Sequence, residues 1–218
     1  MRLDRAGFPF ISGTVALATA AALTVGYAGA VPLAFLAAFF TYFFRDPDRE
    51  SPAGADRLVL SPADGRVLVA GPADPSAAPP GDWKQISIFL SPIDVHVNRS
   101  PVSGRVTRVD FKRGKFLPAY HKDAAATNER SEVWVDHHGR AVVFRQIVGI
   151  LARRIVCRVR EGDEVGAGAR FGVMKFGSRM DVFVPQGSTL RVQVGDRVSA
   201  GVTVIAVLPD GPGRGRQS

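Results

Sequence analysis

Glu132-Val-Trp-Val-Asp-His-His-Gly-Arg-Ala-Val-Val-Phe-Arg-Gln146 is the stretch that decides the fold. Residues 133–135 form a short apolar run after Glu132, and residues 141–146 are rich in β-branched and aromatic side chains. Asp136-His-His-Gly139 between them reads as a hairpin turn, so the whole stretch predicts two antiparallel strands. The same texture recurs outward in both directions, at residues 57–60, 66–70, 85–90, 105–111, 155–159, 181–184, 189–194 and 202–208. Short apolar runs with turn signals every 8–12 residues predict a mainly β domain of sandwich or barrel type. Residues 148–154 are the one helical stretch expected within it. The Pro-rich segment 71–82 reads as an exposed loop, and the tail 210–218 as disordered.

The chain has 218 residues, a size that suits one globular domain with an appendage. A charged fraction of 22% with 14 Phe argues against wholesale disorder. The single Cys157 forbids an internal disulfide and any multi-cysteine metal cluster. A net charge of +8 favours anionic partners such as acidic lipid or nucleic acid. The basic residues form no cluster interleaved with aromatics, which sets nucleic acid aside.

Residues 7–44 contain no Asp, Glu, Lys, Arg or His, a run of 38 residues. A bilayer core takes roughly 20 helical residues. Gly26, Gly29 and Pro32 divide the run into two apolar blocks, 10–25 and 33–44. Either one span with an interfacial segment or a short helical hairpin fits, and the hairpin is favoured. Apolar sequence continues well past the length of a signal-peptide core, so residues 1–44 read as a retained membrane anchor. Arg2, Arg5, Arg45 and Arg49 flank both ends, which suits a hairpin with both ends in the cytoplasm. The catalytic or binding domain is then 45–218.

Two internal echoes stand out. Ser61-Pro-Ala-Asp-Gly-Arg-Val67 resembles Ser100-Pro-Val-Ser-Gly-Arg-Val106, and Gly162-Asp-Glu-Val-Gly-Ala-Gly168 resembles Gly195-Asp-Arg-Val-Ser-Ala-Gly201. They predict two related, hammerhead-like β units facing each other.

Gly-Asp-x-Val-x-x-Gly turns also occur in biotinyl and lipoyl carrier domains, where Lys175 of Val173-Met174-Lys175 would be the modified lysine. A plain lysine in a turn is the stronger reading of that residue. Gly177-Ser178 nearby offers different chemistry. A serine hydroxyl in a strained turn can attack the preceding glycyl carbonyl and convert the amide to an ester. Elimination and hydrolysis then leave a pyruvoyl group on the new N-terminus. A Gly-Ser pair alone is ordinary turn sequence.

The wider pattern adds to this. Phe44-Arg-Asp-Pro-Asp-Arg49, Ser61-Pro-Ala-Asp-Gly65, Leu90-Ser-Pro-Ile-Asp-Val-His-Val-Asn-Arg99, Asn128-Glu-Arg130, Gln146-Ile-Val-Gly149 and Arg170-Phe-Gly-Val-Met-Lys-Phe-Gly-Ser-Arg179 follow one another in order. Over residues 43–208 the chain resembles the short, archaeal-type phosphatidylserine decarboxylase proenzymes. The resemblance implies self-cleavage at Gly177–Ser178 into a large fragment, 1–177, and a small fragment, 178–218. It implies a pyruvoyl cofactor derived from Ser178, with no metal and no pyridoxal phosphate. The implied substrate is phosphatidylserine in the cell membrane, and the implied partners are the two fragments themselves. A homo-oligomer is compatible with the sequence.

The resemblance also assigns roles. Ser178 is the nucleophile and cofactor precursor, His96 the proton donor in decarboxylation, and Asp64 the carboxylate that helps activate Ser178 through a histidine. Long-form relatives carry a second histidine where this chain has Arg99, so His96 is expected to serve both steps. His121, in Pro118-Ala-Tyr-His121, is the alternative base, although a loop histidine is the stronger reading. His137 and His138 belong to the hairpin turn. Arg130, Arg153, Arg154 and Arg179 are candidates for the headgroup phosphate or carboxylate, since a guanidinium suits either anion. Structural ion pairing with Glu129, Asp94 or Asp181 is the alternative for the same arginines.

Overall fold

The computed structural model describes residues 2–52, 56–121, 123–150, 154–175 and 178–210. The expected hairpin forms as two strands, Arg130–His137 and Arg140–Ile147, in which Glu132 faces Arg145 and His137 faces Arg140. His138 (φ 54°) and Gly139 (φ 76°) close it, both left-handed, as a two-residue turn between right-twisted strands requires.

This hairpin is the middle of an eight-stranded antiparallel sheet. Its strands in chain order are β1 Gly65–Pro72, β2 Trp83–Leu90, β3 Gly104–Lys112, β4 Arg130–His137, β5 Arg140–Ile147, β6 Glu164–Val165, β7 Ser178–Pro185 and β8 Arg197–Val198. Across the sheet the order is β6-β3-β4-β5-β7-β2-β1-β8. Two three-stranded sheets complete the domain. One joins Ile155–Cys157, Arg170–Met174 and Val97–Arg99, and the other joins Thr189–Leu190, Val204–Val207 and Leu58–Leu60.

Alternation along the strands sets the core. Met180, Val182 and Val184 of β7 pack with Ile86, Ile88 and Leu90 of β2, and against Phe171, Met174 and Ile205 of the small sheets. The opposite face of β7 carries Arg179 and Asp181, under the loop after β1 that buries Ala77. That loop is therefore only partly exposed, against the sequence expectation. The domain is mainly β, as expected. Every expected run contains a strand, while Val97–Arg99, Glu164–Val165, Arg170–Met174 and Arg197–Val198 are additional. Among the described residues of 148–154 there is no helix. Val148 N–H instead donates to Glu129 O (3.1 Å), extending the sheet end, and the one helix among the described residues of the β domain is the single turn Ala124–Thr127. Residues 211–218 of the expected tail lie outside the described residues.

The sequence echoes are structural equivalents. Val198 pairs with Gly65 and Arg197 with Arg66, while Val165 pairs with Gly104 and Glu164 with Arg105. Gly201 N–H donates to Ser61 O and Gly168 N–H to Ser100 O, each at 2.8 Å. The two halves also exchange bonds, Leu60 N–H to Pro101 O (2.8 Å) and Arg99 N–H to Pro62 O (2.9 Å). A local pseudo-dyad relates the two units.

The apolar run folds as two helices, α1 Phe8–Thr24 and α2 Tyr27–Phe43, joined at Gly26 (φ 89°). They run antiparallel, with Phe10 5.3 Å from Phe40 and 5.6 Å from Phe44 between ring centroids. Residues Arg5–Thr24 are long and apolar enough to cross a membrane. The hydroxyls of Ser12, Thr14, Thr19, Thr24 and Thr41 each donate to the carbonyl four residues back at 2.7–3.0 Å, which satisfies them without water. The base of the pair is knitted to the β domain. Arg2–Leu3 pairs with Arg45–Asp46, and the buried Asp4 carboxylate accepts from both terminal nitrogens of Arg158 (2.6 and 2.8 Å).

Candidate active site

Four neighbouring strands share one end of the large sheet. β1 starts there at Gly65, β2 ends at Leu90, β7 starts at Ser178 opposite Leu90, and β5 ends at Ile147 opposite Arg179. Antiparallel pairing thus gathers Asp64, the loop that follows Leu90 as far as His96, and Ser178 at one edge.

Ser178 is fully buried on the core-facing side of β7, and its Oγ has no hydrogen-bond partner among the described residues. Gly177 lies outside the described residues. His96 is also fully buried. Its Nδ1 stands 2.9 Å from Asp94 O. A carbonyl only accepts, so Nδ1 carries the proton, and the neutral ring presents a lone pair at Nε2. Nε2 has no partner among the described residues. Burial pushes the ring pKa down to about 4, with Arg45 lowering it further, against the Asp94 carbonyl and the Asp64 charge. His96 is therefore neutral near pH 7. Met174 N–H donates to His96 O (3.2 Å), so the chain approaching Ser178 passes directly against His96.

Asp64 does not hydrogen-bond His96. Arg49 grips its carboxylate from both terminal nitrogens (2.5 and 2.7 Å), and Ala200 N–H adds a third bond (2.8 Å). This contact explains the Phe44-Arg-Asp-Pro-Asp-Arg49 motif, which runs from the end of α2 across the site end of the sheet. Arg45 donates to Ile93 O (2.8 Å), Asp46 pairs with Arg99 and Arg170, and Arg49 reaches Asp64. Arg99 is a buried member of this clasp, donating to Asp46 Oδ1 (3.1 Å), Pro47 O (2.9 Å) and Gly168 O (3.1 Å).

The structure separates the other candidates. Arg179 is buried on the opposite face of β7 from Ser178, bonded to Asp181 (2.6 Å) and Ser87 Oγ (2.8 Å). Arg130 donates to Ala125 O (3.1 Å) and Ala126 O (3.0 Å) at the end of β4. Both are engaged in the architecture of that face. Arg153 lies outside the described residues. Arg154 is exposed and close enough to Lys175 to depress its pKa, although burial is the larger cause. The Lys175 ammonium sits 4.6 Å from the centre of the Phe10 ring, folded onto the helical pair. A carrier lysine must be presented for modification, and this one is half-buried.

His121 is exposed beside Asp123, in a loop, and the buried His137 places its ring nitrogens against Ser103 O (2.5 Å) and Asp56 O (2.7 Å). No group of three or more His, Cys, Asp or Glu among the described residues is placed to hold a metal ion. The reading of individual residues overlooked Phe43, Arg49 and the amide pair Asn98–Gln146. Gln146 Nε2 donates to Asn98 Oδ1 (2.9 Å), leaving buried Asn98 Nδ2 and Gln146 Oε1 without partners among the described residues. The ordered motifs contain all but Phe43 of these, and they were the available signal.

Residues 36–206 match the phosphatidylserine decarboxylase family. A phosphatidylserine decarboxylase proenzyme of Solibacter usitatus is 46% identical over 195 residues, covering 88% of this chain and 91% of its own. One from Salinibacter ruber is 47% identical over 183 residues, covering 83% and 80%. One from Symbiobacterium thermophilum is 46% identical over 208 residues, covering 95% and 96%. With its sheet end, its buried serine and its apolar helices described above, the chain belongs to the phosphatidylserine decarboxylase family of enzymes.

Proposed function

We propose that the chain cuts itself between Gly177 and Ser178 and then converts phosphatidylserine to phosphatidylethanolamine with a pyruvoyl group made from Ser178. The observation that carries this reading is the Ser178 hydroxyl, buried and unpartnered among the described residues, at the sheet end it shares with neutral His96 and with Asp64. A buried hydroxyl without a partner is costly to keep, and a reacting group is a physical reason to keep it.

His96 Nε2 takes the Ser178 proton as Oγ attacks the Gly177 carbonyl, and the proton passes to the departing amide nitrogen. The ester so formed loses the Ser178 α-proton and expels the Gly177 carboxylate. The dehydroalanine left behind tautomerises and takes up water, releasing ammonia. Asp64, held by Arg49, supplies negative charge that favours the transient imidazolium of His96. In turnover the pyruvoyl ketone supplies an electrophile for the substrate amine and an electron sink for the loss of CO2. His96 Nε2, which carries no proton in the resting site, takes one from the substrate ammonium and returns it to the substrate carbon once CO2 has left. Ser178 fits the precursor role by position and burial, and the reading needs no metal and no pyridoxal phosphate.

In this reading the substrate lies in a bilayer and the helical pair anchors the β domain to it on the cytoplasmic side, which the apolar helices and the arginines at both ends of the run support. Arg45 stacked on Tyr42 is the pairing of cation and aromatic ring expected at a lipid headgroup belt, which supports this reading. Of the described candidate arginines, Arg154 is the exposed one, which suits it to meet the anionic headgroup, and the +8 charge favours an anionic surface.

Intact mass decides the central claim. Wild-type protein should give fragments 1–177 and 178–218, the smaller blocked to Edman degradation, and borohydride with phosphatidylserine should fix lipid to it. Ser178→Ala should remain one chain. Two fragments from Ser178→Ala, or a free amine on the small fragment, would sink the reading.

A further inference from the structure

Phe43 is the last residue of α2, and its ring lies 4.0 Å from that of His96 between centroids, with the planes inclined by 30°. Both side chains are fully buried. Phe43 packs edge-on to Phe44 (5.0 Å), and Phe44 closes over Gly7, where an added Cβ would fall 2.5 Å from its ring. Ala6 packs with Val95 and Val97, which flank His96, and with Val173 of the neighbouring strand. One wall around this histidine is therefore supplied by the base of the helical pair, and the β domain alone does not enclose it.

We infer that Phe43 is a positioning residue for His96 and that the helical pair is part of the wall of the site, beyond any role as a tether. This rests on the reading of His96 as the group that moves protons. The Phe43 ring fixes the imidazole plane and keeps water from Nε2. Three groups otherwise bear on the ring: Arg45 from the segment after α2, Asp64 from the turn before β1, and the Asp94 carbonyl at Nδ1. None of these replaces an apolar cover. A movement of α2 relative to the domain would admit water to His96 and raise its proton affinity, so the seating of the helices and the reactivity of the site are coupled.

The test uses the full-length chain in lipid nanodiscs. Titration of His96 is followed by NMR of isotope-labelled histidine, with His96→Ala to assign the signal. Phe43→Ala should raise the His96 midpoint from about 4 towards 6.5, at least a tenfold gain in proton affinity, and shift the acid limb of the cleavage rate by the same amount. Phe43→Trp, which keeps an aromatic cover, should stay near wild type, and Phe43→Leu should fall between.

Hydrogen–deuterium exchange at histidine C2 in wild-type protein, read peptide by peptide, needs no variant to fold. His96 should titrate at about 4, well below the ordinary histidine value of 6.5. A folded Phe43→Ala with an unchanged His96 midpoint, or a wild-type His96 that titrates at the ordinary value, overturns the inference. Normal cleavage and turnover in His96→Ala would instead overturn the reading of the site and leave the packing result standing.

Discussion

Arg49 binds Asp64 through two parallel hydrogen bonds of 2.5 and 2.7 Å, and both side chains are largely shielded, 13% and 16% exposed. The carboxylate that family resemblance links to a histidine is thus fixed by an arginine from the segment leaving the apolar helices. Its influence on His96 is through charge, since no hydrogen bond joins them.

That arrangement makes Arg49 and Asp64 one unit. Asp64→Asn keeps the shape and removes the charge, so uncleaved chain should accumulate although the protein folds. Arg49→Ala should slow cleavage to a similar degree and cost about 2–3 kcal/mol of stability, because it strands a shielded carboxylate. Gel densitometry of precursor and thermal unfolding in detergent report the two effects. Fast cleavage in Asp64→Asn would remove the charge argument.

The headgroup arginines can be separated by the same pair of measurements. Arg179→Ala leaves Asp181 buried without its main partner and should cost about 3–5 kcal/mol, with an unchanged KM in the protein that folds. Arg154→Ala is exposed and should leave stability within about 0.5 kcal/mol while raising the KM for phosphatidylserine. The opposite pattern would place the headgroup on the far face of β7.

Acid should loosen the base of the helices. Burial would raise the Asp4 carboxyl, but the hydrogen bonds from Arg158 and Ala6 N–H outweigh it and hold the pKa below 3.8. A depressed folded value means the contribution is complete above the unfolded value of about 4 and is lost as pH falls through the folded one. Asp4→Asn should therefore lower stability by about 1–2 kcal/mol at pH 7 and flatten its acid dependence below pH 4. Thermal melts of both proteins between pH 7 and pH 2.5 check the sign.

Gly65 and Gly104 are pseudo-dyad equivalents with φ of 154° and 142°. A Cβ would fall 2.0 Å from Phe89 O at one and 2.2 Å from Asp136 O at the other. Alanine at either should cost about 3 kcal/mol or more, since neither the dihedral nor the space suits it. Equal losses at both positions would bear out their equivalence, and cleavage should suffer more from Gly65→Ala, which adjoins Asp64. Normal stability in either variant would count against the close strand crossing.

Much of this molecule was legible in the chain. Runs of β-branched and aromatic residues on both sides of His138-Gly139 fixed a hairpin, because such side chains suit a pleated strand and a two-residue turn needs left-handed residues. The paired Ser-Pro and Gly-Asp turns announced two related units, and the charge-free run from Gly7 to Phe44 announced apolar helices. The helix expected at 148–154 is absent from its described residues, 148–150 and 154, because an apolar run of that length has no decisive period.

Partner choice was not legible, since it depends on which surfaces the sheets bring together. Asp64 could as well have met a histidine as Arg49, and Arg179 could have faced Ser178. A half-turn of alternation put Arg179 on the other face, and the path of residues 43–49 across the sheet end put Arg49 against Asp64 and Phe43 against His96. Local sequence sets backbone conformation through sterics and hydrogen bonding between near neighbours. The surroundings that hold His96 neutral come from residues tens of positions away, and only the packed tertiary structure supplies them.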